Sequence, residues 1–577
     1  MEYQNDPNVI RARRNIERAH SITSINPSQG PVVAAYVPVK KREFLGYRST
    51  CALTLNRIIG SGIFVAPPVI LSITGSKGLS LILWLVGGVI TWAGLFVYLE
   101  YGIQFPLTGG ELHYIDLVWT KPRKLMTYMY SIMFVVLSGS HANALVFGSA
   151  VIRASTPPGT TTTDYRLQKL FATLLVGVVC LFQSLSRLNY IRFSDAFALY
   201  KVSFLSAITV LGFYALGSSR FAESRGSNGT SNFQGSFGGA ITSPYVVAIA
   251  ILDIMRVYAG YENVNFILEE VRRPDKDPHR VYRRGAIATL FLVTFFYLMV
   301  NVAFFATCSI EEMATTQDML SLFFSKIFGT SAKVRQVSGI LLCLSSAGNV
   351  MSSTYVNTRV KQEIAREGVI PWPEFWTRST HLGTPGPALL LHWIFSTIFI
   401  IATPLDDPNG YLIVSTLFNY SRTLLGVAIG CALLCAPWLS SFSEVDHRWK
   451  PKTSRLGFWV IYPLTVIYIL TNLFVFIVSW FPPDLHTSLL TKSPIVTSYA
   501  GPATGVLIYA VGALYWAWDL HILPAFGYHF QKLSEDVKMD GSGAIELRFE
   551  RDCKGIAHKV KDVVDRVTMW LGGKWSF

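Results

Sequence analysis

The sequence predicts an all-α, polytopic membrane protein with about twelve spanning helices, and three observations lead there. Of the 577 residues, 51% are hydrophobic and only 15% are charged, against about 25% charged in a soluble domain. Apolar runs near the ~20 residues needed to cross a bilayer recur along the chain. Two of those runs are interrupted by residues that a helix in lipid avoids, and they lie five spans apart.

Residues 1–48 form a polar, basic tail with Arg11, Arg13, Arg14, Arg18, Lys40, Lys41 and Arg42. It has no apolar core and no small-residue cleavage site, so no signal peptide is expected to be removed. The tail is expected to be mostly disordered and cytoplasmic. The transmembrane body is placed at 49–525, with spans at roughly 50–74, 79–103, 125–152, 167–186, 195–217, 244–268, 285–308, 334–360, 387–404, 411–436, 457–480 and 499–522. Their periodicity is helical or uniformly apolar, never the alternation of a barrel strand. Residues 526–577 form a second polar tail, in which Val560, Val563, Val564 and Val567 at helical spacing mark a candidate amphipathic surface helix.

A net charge of +14 would point a soluble protein towards nucleic acid. Here its distribution sets orientation instead, because cytoplasmic loops collect Lys and Arg. With the N-terminus inside, the inner loops hold Lys121/Arg123/Lys124, Arg187/Arg192, Arg272 to Arg284, Arg359/Lys361/Arg366/Arg378 and Arg448 to Arg455. The outer loops hold scattered Lys77, Arg153, Arg166, Arg220, Arg225, Lys326, Lys333 and Lys492. Both termini are therefore expected in the cytoplasm, and the Asn228-Gly229-Thr230 sequon falls on the outer side. Six of the seven cysteines lie in or beside spans, and no disulfide is expected.

The first interrupted span reads Leu55-Asn56-Arg57-Ile58-Ile59-Gly60-Ser61-Gly62-Ile63-Phe64-Val65-Ala66-Pro67-Pro68. Gly costs about 1 kcal/mol in a helix interior and Pro about 3. A freed backbone group has no water to bond in hydrocarbon. The stretch reads as a discontinuous helix, one half ending near Ile59 and the next starting near Ile63. The Ser61, Gly62 and Ile63 amides would then face an anionic group, with the positive end of the second half-helix behind them. A plain kink is the alternative.

The sixth span, Leu252-Asp253-Ile254-Met255-Arg256-Val257-Tyr258-Ala259-Gly260-Tyr261-Glu262-Asn263, holds three ionisable groups and a small Ala-Gly pair. Five spans reverse orientation, so two five-helix units (about 50–217 and 244–436, followed by two further helices at about 457–522) would be related by an inverted repeat. That is the plan of secondary transporters, with substrate at the repeat interface.

These residues also carry a resemblance. Gly60-Ser61-Gly62-Ile63-Phe64 resembles the first-helix signature of the amino acid–polyamine–organocation superfamily. Tyr98-Leu99-Glu100-Tyr101-Gly102 with Pro106 and Gly109-Gly110-Glu111 is similar to its second helix and loop. Tyr261 to Phe266 with Glu269-Glu270-Val271-Arg272-Arg273-Pro274 resembles its sixth-helix exit. Arg366-Glu367-Gly368 and Thr384-Pro385-Gly386-Pro387-Ala388-Leu389 match its eighth-to-ninth connection. The likeness runs over about 48–525 and is nearest to the L-type transporters, in particular the fungal methionine permease branch.

The resemblance implies a LeuT-type 5+5 inverted repeat with helices one and six discontinuous. It implies a substrate carboxylate on the Ser61, Gly62 and Ile63 amides. The amino group would lie on carbonyls at half-helix ends, here Ile58, Arg256 and Ala259, which suits their partial negative charge. Selectivity is implied for Tyr258, Tyr261, Glu262, span three around Ser138–Asn143 and span ten around Asn419–Arg422. Lys201, inside the fifth span, resembles a lysine that stands in for a sodium ion, which makes the proton the expected coupling ion. The alternative is a lysine that snorkels to the surface. Asp253 and Arg256 share a face, so an internal pair is expected. Arg57 and Glu100, with Glu269, Glu270 and Asp195, are candidates for a cytoplasmic gate. The outer loop Arg153–Arg166 lacks the cysteine that tethers animal light chains to a heavy chain, so a stand-alone permease is expected.

The expected function is proton-coupled, alternating-access transport of neutral amino acids such as methionine across the plasma membrane. The charges at Asp253 and Glu262 leave open an exchanger of polar or cationic amino acids. A sensor that binds without net transport is the third reading. No nucleotide loop, metal motif or Ser/His/Asp arrangement marks an enzyme, and no cofactor is expected.

Overall fold

The computed structural model describes residues 45–523, except 120, 157–163, 218–232, 234, 275–276, 317, 381, 407–409, 439–449, 454–456 and 482–494, together with three tail strands. The sequon at Asn228 and the valine stripe at 560–567 lie outside the described residues.

The first span is cut into α1 (Tyr47–Ile58) and α2 (Gly62–Thr74). There follow α3 (Lys77–Gln104), the short α4 (Glu111–Val118), and a third span that is also cut, into α5 (Leu125–Leu137) and α6 (His141–Ser155). α7 (Tyr165–Leu185) and α8 (Arg187–Gly217) complete the first unit. α9 (Pro244–Tyr258) is the first half of the sixth span. Its continuation is two 3₁₀ turns, Asn263–Phe266 and Leu268–Glu270. Then come α10 (Arg280–Thr307), α11 (Ile310–Thr315), α12 (Met319–Phe328), α13 (Ala332–Arg366), α14 (Pro373–Trp376), α15 (Gly386–Ala402) and α16 (Gly410–Leu434). The last two spans are α17 (Phe458–Val478) and α18 (Ile495–Ala517).

Among the described residues, nine helices are long and apolar enough to cross a membrane by length and composition. The other three expected spans are the 15-residue α9, the 17-residue α15 and the 35-residue α13, whose polar face is turned inward.

Local chemistry sets the helix ends. Ser76 caps α3 by accepting from the Leu79 amide, and Asp164 caps α7 through the Arg166 and Leu167 amides. Ser243 caps α9, with Pro244 at its first position.

The two interrupted spans are neighbours in an antiparallel sense. α2 packs on α9, and α1 packs on the Asn263–Phe266 turn. α13 packs on α1 and on α6. This pairing of opposite halves is what an inverted repeat requires.

Three expectations change. Arg359 and Lys361 are not loop cations. They sit inside α13 at 5% and 0% exposure, because the helix runs a full turn past the apolar stretch and is covered by its neighbours. Lys77 is likewise buried, its ammonium donating to the Phe305 and Cys308 carbonyls at the end of α10. The tails are not wholly irregular: β1 (Val32–Pro38), β2 (His529–Asp536) and β3 (Ala544–Asp552) form an antiparallel sheet in the order β1-β3-β2. Val-Val-Ala-Ala-Tyr-Val favours a strand, but its partner lies at the far end of the chain.

Candidate functional site

The site begins with the gap Ile59-Gly60-Ser61 between α1 and α2. The Ile59 backbone is extended (φ −77°, ψ 99°), which ends α1, and Ser61 opens α2. The first-turn amides of α2, those of Gly62 and Ile63, have no intrahelical acceptor and carry the positive end of the helix dipole. Gly62 faces Val257 so closely that an added Cβ would lie 3.2 Å from its methyl groups.

Ser61 is held from span three. Its amide and its hydroxyl both donate to Asn143 Oδ1, at 2.9 and 2.8 Å. The Asn143 amide donates to Asn349 Oδ1 at 2.9 Å, and Asn349 Nδ2 donates to the Arg57 carbonyl. Ser345 donates to the Gly60 carbonyl at 3.0 Å. Of the three amides predicted to hold a carboxylate, the Ser61 amide is therefore engaged by Asn143, while those of Gly62 and Ile63 open the helix.

Lys201, fully buried on α8, donates to the carbonyls of Asn56 (3.0 Å) and Ile59, with its chain against Gly348 of α13. It thus bridges α1, the gap and α13. It is not at the surface.

The sixth span breaks where Ala259 leaves the helix (φ −58°, ψ 136°) and Gly260 takes φ +123°, a backbone that favours glycine. An added Cβ on Gly260 would lie 2.6 Å from Arg57 Cγ, so the two breaks are in contact. Tyr297 of α10 ties them: its hydroxyl lies 3.0 Å from the Ile58 carbonyl and 3.3 Å from that of Val257. The predicted ammonium acceptor Ile58 is thus shared with a tyrosine, and the Arg256 carbonyl accepts from the Ala259 amide at 3.3 Å. The Arg256 side chain pairs with Asp253 at 2.6 Å. Tyr258 is fully buried, its ring centroid 4.9 Å from that of Tyr297 and 6.1 Å from that of Trp84.

Glu262 is paired. It accepts from the Gly260 amide at 3.0 Å and from Arg422 of α16. Arg422 also donates to Glu111 of α4 at 2.8 Å, and Glu111 accepts from Tyr98 and, at 3.2 Å, from Tyr130. One guanidinium therefore spans two buried carboxylates, with Arg57 also facing Glu262. Beside this cluster is a small cavity lined by Ile90, Thr91, Leu252, Met255, Ala259, Tyr261, Asn419, Arg422, Thr423, Tyr468 and Asn472. It takes in Ala259, Tyr261 and the Asn419–Arg422 stretch among the predicted residues, and none of Ile58 to Ile63.

Arg57 and Glu100 are not brought together as a gate pair. Glu100 accepts from the Lys452 and Thr453 amides, at 2.9 and 2.7 Å. The buried ion cluster at that level is Glu270 with Arg187 (2.9 Å), Arg359 (3.0 Å) and the Tyr355 hydroxyl (2.5 Å). Asp195 faces Arg48 at 3.6 Å. Tyr297 carries no signal in the sequence, and Glu111 stands out there only as part of Gly109-Gly110-Glu111. A single tyrosine in the apolar run Phe295-Phe296-Tyr297-Leu298 reads as packing.

Residues 45–508 match the amino acid permease family model. The high-affinity methionine permease of Saccharomyces cerevisiae is 29% identical over 495 residues, covering 85% of this chain and 82% of that protein. The large neutral amino acids transporter small subunit 2 of Mus musculus is 26% identical, covering 88% of this chain and 87% of that protein. The Asc-type amino acid transporter 1 of Homo sapiens is 27% identical over 69% of this chain and 73% of its own. With gaps in spans one and six that face each other, and a family match over most of its length, the chain belongs to the amino acid permease family of the amino acid–polyamine–organocation superfamily.

Proposed function

We propose that this amino acid permease is a proton-coupled, alternating-access transporter of neutral amino acids, methionine foremost, acting alone in the plasma membrane with both termini in the cytoplasm. The observation that carries the reading is the meeting of the two helix breaks: the α2 amides, the Ile58 and Val257 carbonyls and Gly260 lie within one contact network. Helix-end dipoles of opposite sign suit the two ends of a zwitterion.

The pairing of both extra charges supports neutral substrates over cationic ones. Asp253 is satisfied by Arg256, and Glu262 by Arg422 and the Gly260 amide. The methionine and neutral amino acid transport named for the relatives points the same way.

Lys201 supports proton coupling. Its ammonium holds two carbonyls at the gap, so loss of the proton weakens the clamp between α8 and span one. The test is labelled methionine uptake with each common amino acid as competitor, with and without a pH gradient. Neutral amino acids should compete, and the gradient should drive accumulation. Failure of every neutral amino acid to compete would overturn the substrate assignment. Binding without accumulation would make the protein a sensor. Lys201→Ala should flatten the pH profile, and an unchanged profile removes Lys201 from the coupling.

A further inference from the structure

The third span is interrupted at Ser138–Ser140, and nothing in the transport reading uses the groups behind that break. The opening is stitched by its neighbours: Asn357 of α13 donates to the Ser138 carbonyl at 3.0 Å, and the Ser140 amide donates to Ser396 of α15 at 3.1 Å. Into it points a buried titratable pair. Lys361 Nζ of α13 lies 3.3 Å from Nδ1 of His392 of α15, and His392 Nε2 lies 2.9 Å from the Ser140 hydroxyl. Both residues are 0% exposed.

From Ser140 a polar chain runs to the first helix break. Ser140 meets Ser353 at 2.9 Å, and Ser353 donates to the Asn349 carbonyl at 2.9 Å. The Asn349 side chain holds Asn143, and Asn143 holds Ser61.

We infer that Lys361 and His392 form a single proton-binding site, whose state is passed to the first helix break through Ser140, Asn349 and Asn143. This inference rests on the transporter reading above. An ammonium and an imidazolium at such a separation, away from water, repel strongly, so the pair holds one excess proton and not two.

That proton sets the direction of the hydrogen bond to Ser140. The ammonium is donor-only, so Nδ1 must accept and Nε2–H donates to the Ser140 oxygen. When the pair loses its excess proton, the Nε2 proton departs to water as the ammonium passes one of its own to Nδ1. The neutral amine then accepts from Nδ1–H, and Nε2 accepts a hydrogen bond from the Ser140 hydroxyl. The bond at the break of span three is reversed, and with it the donor that Ser140 offers to Ser353. The other titratable groups facing the pair are Cys180 of α7, His141 of α6 and Arg57 of α1. The Phe395 ring lies 5.9 Å from the Lys361 ammonium. α13 also packs Gly348 against Lys201, so the helix that carries Lys361 touches the second buried lysine.

The test uses the full chain in proteoliposomes, with labelled methionine uptake followed between about pH 5 and 8, the range in which an imidazole responds. Wild type should vary about tenfold over that range, and Lys361→Met and His392→Gln should each cut the variation to about threefold, the remainder belonging to Lys201. Retention of the wild-type profile in both variants overturns the inference and leaves the transporter reading standing. If those two fail to fold, Ser140→Ala decides, since it keeps both titratable groups and deletes the hydroxyl that joins His392 to Ser353 and to Thr354. It should shrink the pH variation of uptake to the same extent while the melting temperature of the ligand-free protein still changes with pH, and an unaltered uptake profile overturns the inference. Should wild type move no neutral amino acid at all, the transport reading falls. The pair is then read from melting alone, where Lys361→Met should erase part of the pH dependence, and an identical dependence in variant and wild type overturns it.

Discussion

The two halves of the inverted repeat meet the same physical demand with different chemistry. Span one opens over Ile59-Gly60-Ser61 and resumes as a regular α-helix, and its loose groups are held by neutral amides, hydroxyls and one lysine: Asn143, Asn349, Ser345 and Lys201. Span six opens at Ala259-Gly260 and never resumes as an α-helix. Its loose amide at Gly260 is held by Glu262, which is held in turn by Arg422 and backed by Glu111. Apart from the Lys201 ammonium, the bonds at span one are neutral, individually weak and exchangeable. A guanidinium between two buried carboxylates is costly to separate. On the transporter reading proposed above, the contrast assigns the rearrangement to span one, while the second half of span six is braced against α16 and α4.

The largest expected effect comes from removing that brace. Arg422→Met leaves Glu262 and Glu111 buried without their cation, a loss of about 3–5 kcal/mol for a broken buried pair. The purified protein should melt well below wild type and reach the membrane poorly. Arg422→Lys should recover only part of the loss, because a point ammonium cannot fork across two carboxylates. A melting temperature unchanged in Arg422→Met would mean that charge does not hold the second break, and the contrast would fail.

Next in size is the pair of glycine substitutions. Gly260→Ala forces a Cβ into φ +123° and to 2.6 Å from Arg57 Cγ. Strain at such a backbone costs about 1–3 kcal/mol. At Gly60 no left-handed backbone is involved, and an added Cβ would meet side-chain ends, Asn143 Oδ1 at 2.7 Å and Asn349 Nδ2 at 2.9 Å. Those amides can swing aside at the cost of about one hydrogen bond, roughly 1 kcal/mol. Uptake at fixed surface expression should therefore fall further in Gly260→Ala than in Gly60→Ala. The reverse order would place the rigid break in span one.

These differences explain what the sequence made legible. The break at Gly60–Gly62 was readable because Gly-Ser-Gly followed by Pro67-Pro68 is expensive in a lipid-embedded helix. Lys201 was readable because a lone ammonium in an apolar run needs a reason to be there. The break in span three was not, since Ser138-Gly139-Ser140 is ordinary in a membrane helix, where serine satisfies its own backbone. Arg359 and Lys361 were misplaced into a loop because α13 is polar on an inward face, and composition cannot tell an inward face from an aqueous end. Arg422 lay within a stretch already marked for selectivity, but its two carboxylates come from residues 160 and 311 positions away, a distance that no local pattern spans.

The smallest effect expected is also the most informative about the substrate. Tyr297→Phe removes one hydroxyl that lies between the Ile58 and Val257 carbonyls. The fold should lose about 1 kcal/mol, the net worth of a typical hydrogen bond. If the Ile58 carbonyl receives the substrate ammonium, the hydroxyl competes for it, and its removal should lower the KM for methionine by up to about fivefold, the factor that corresponds to 1 kcal/mol. The surface level and pH profile should stay near those of wild type. A KM that rises by several-fold instead would make Tyr297 a partner of the substrate rather than its stand-in, and would move the ammonium site from the end of α1 towards α10.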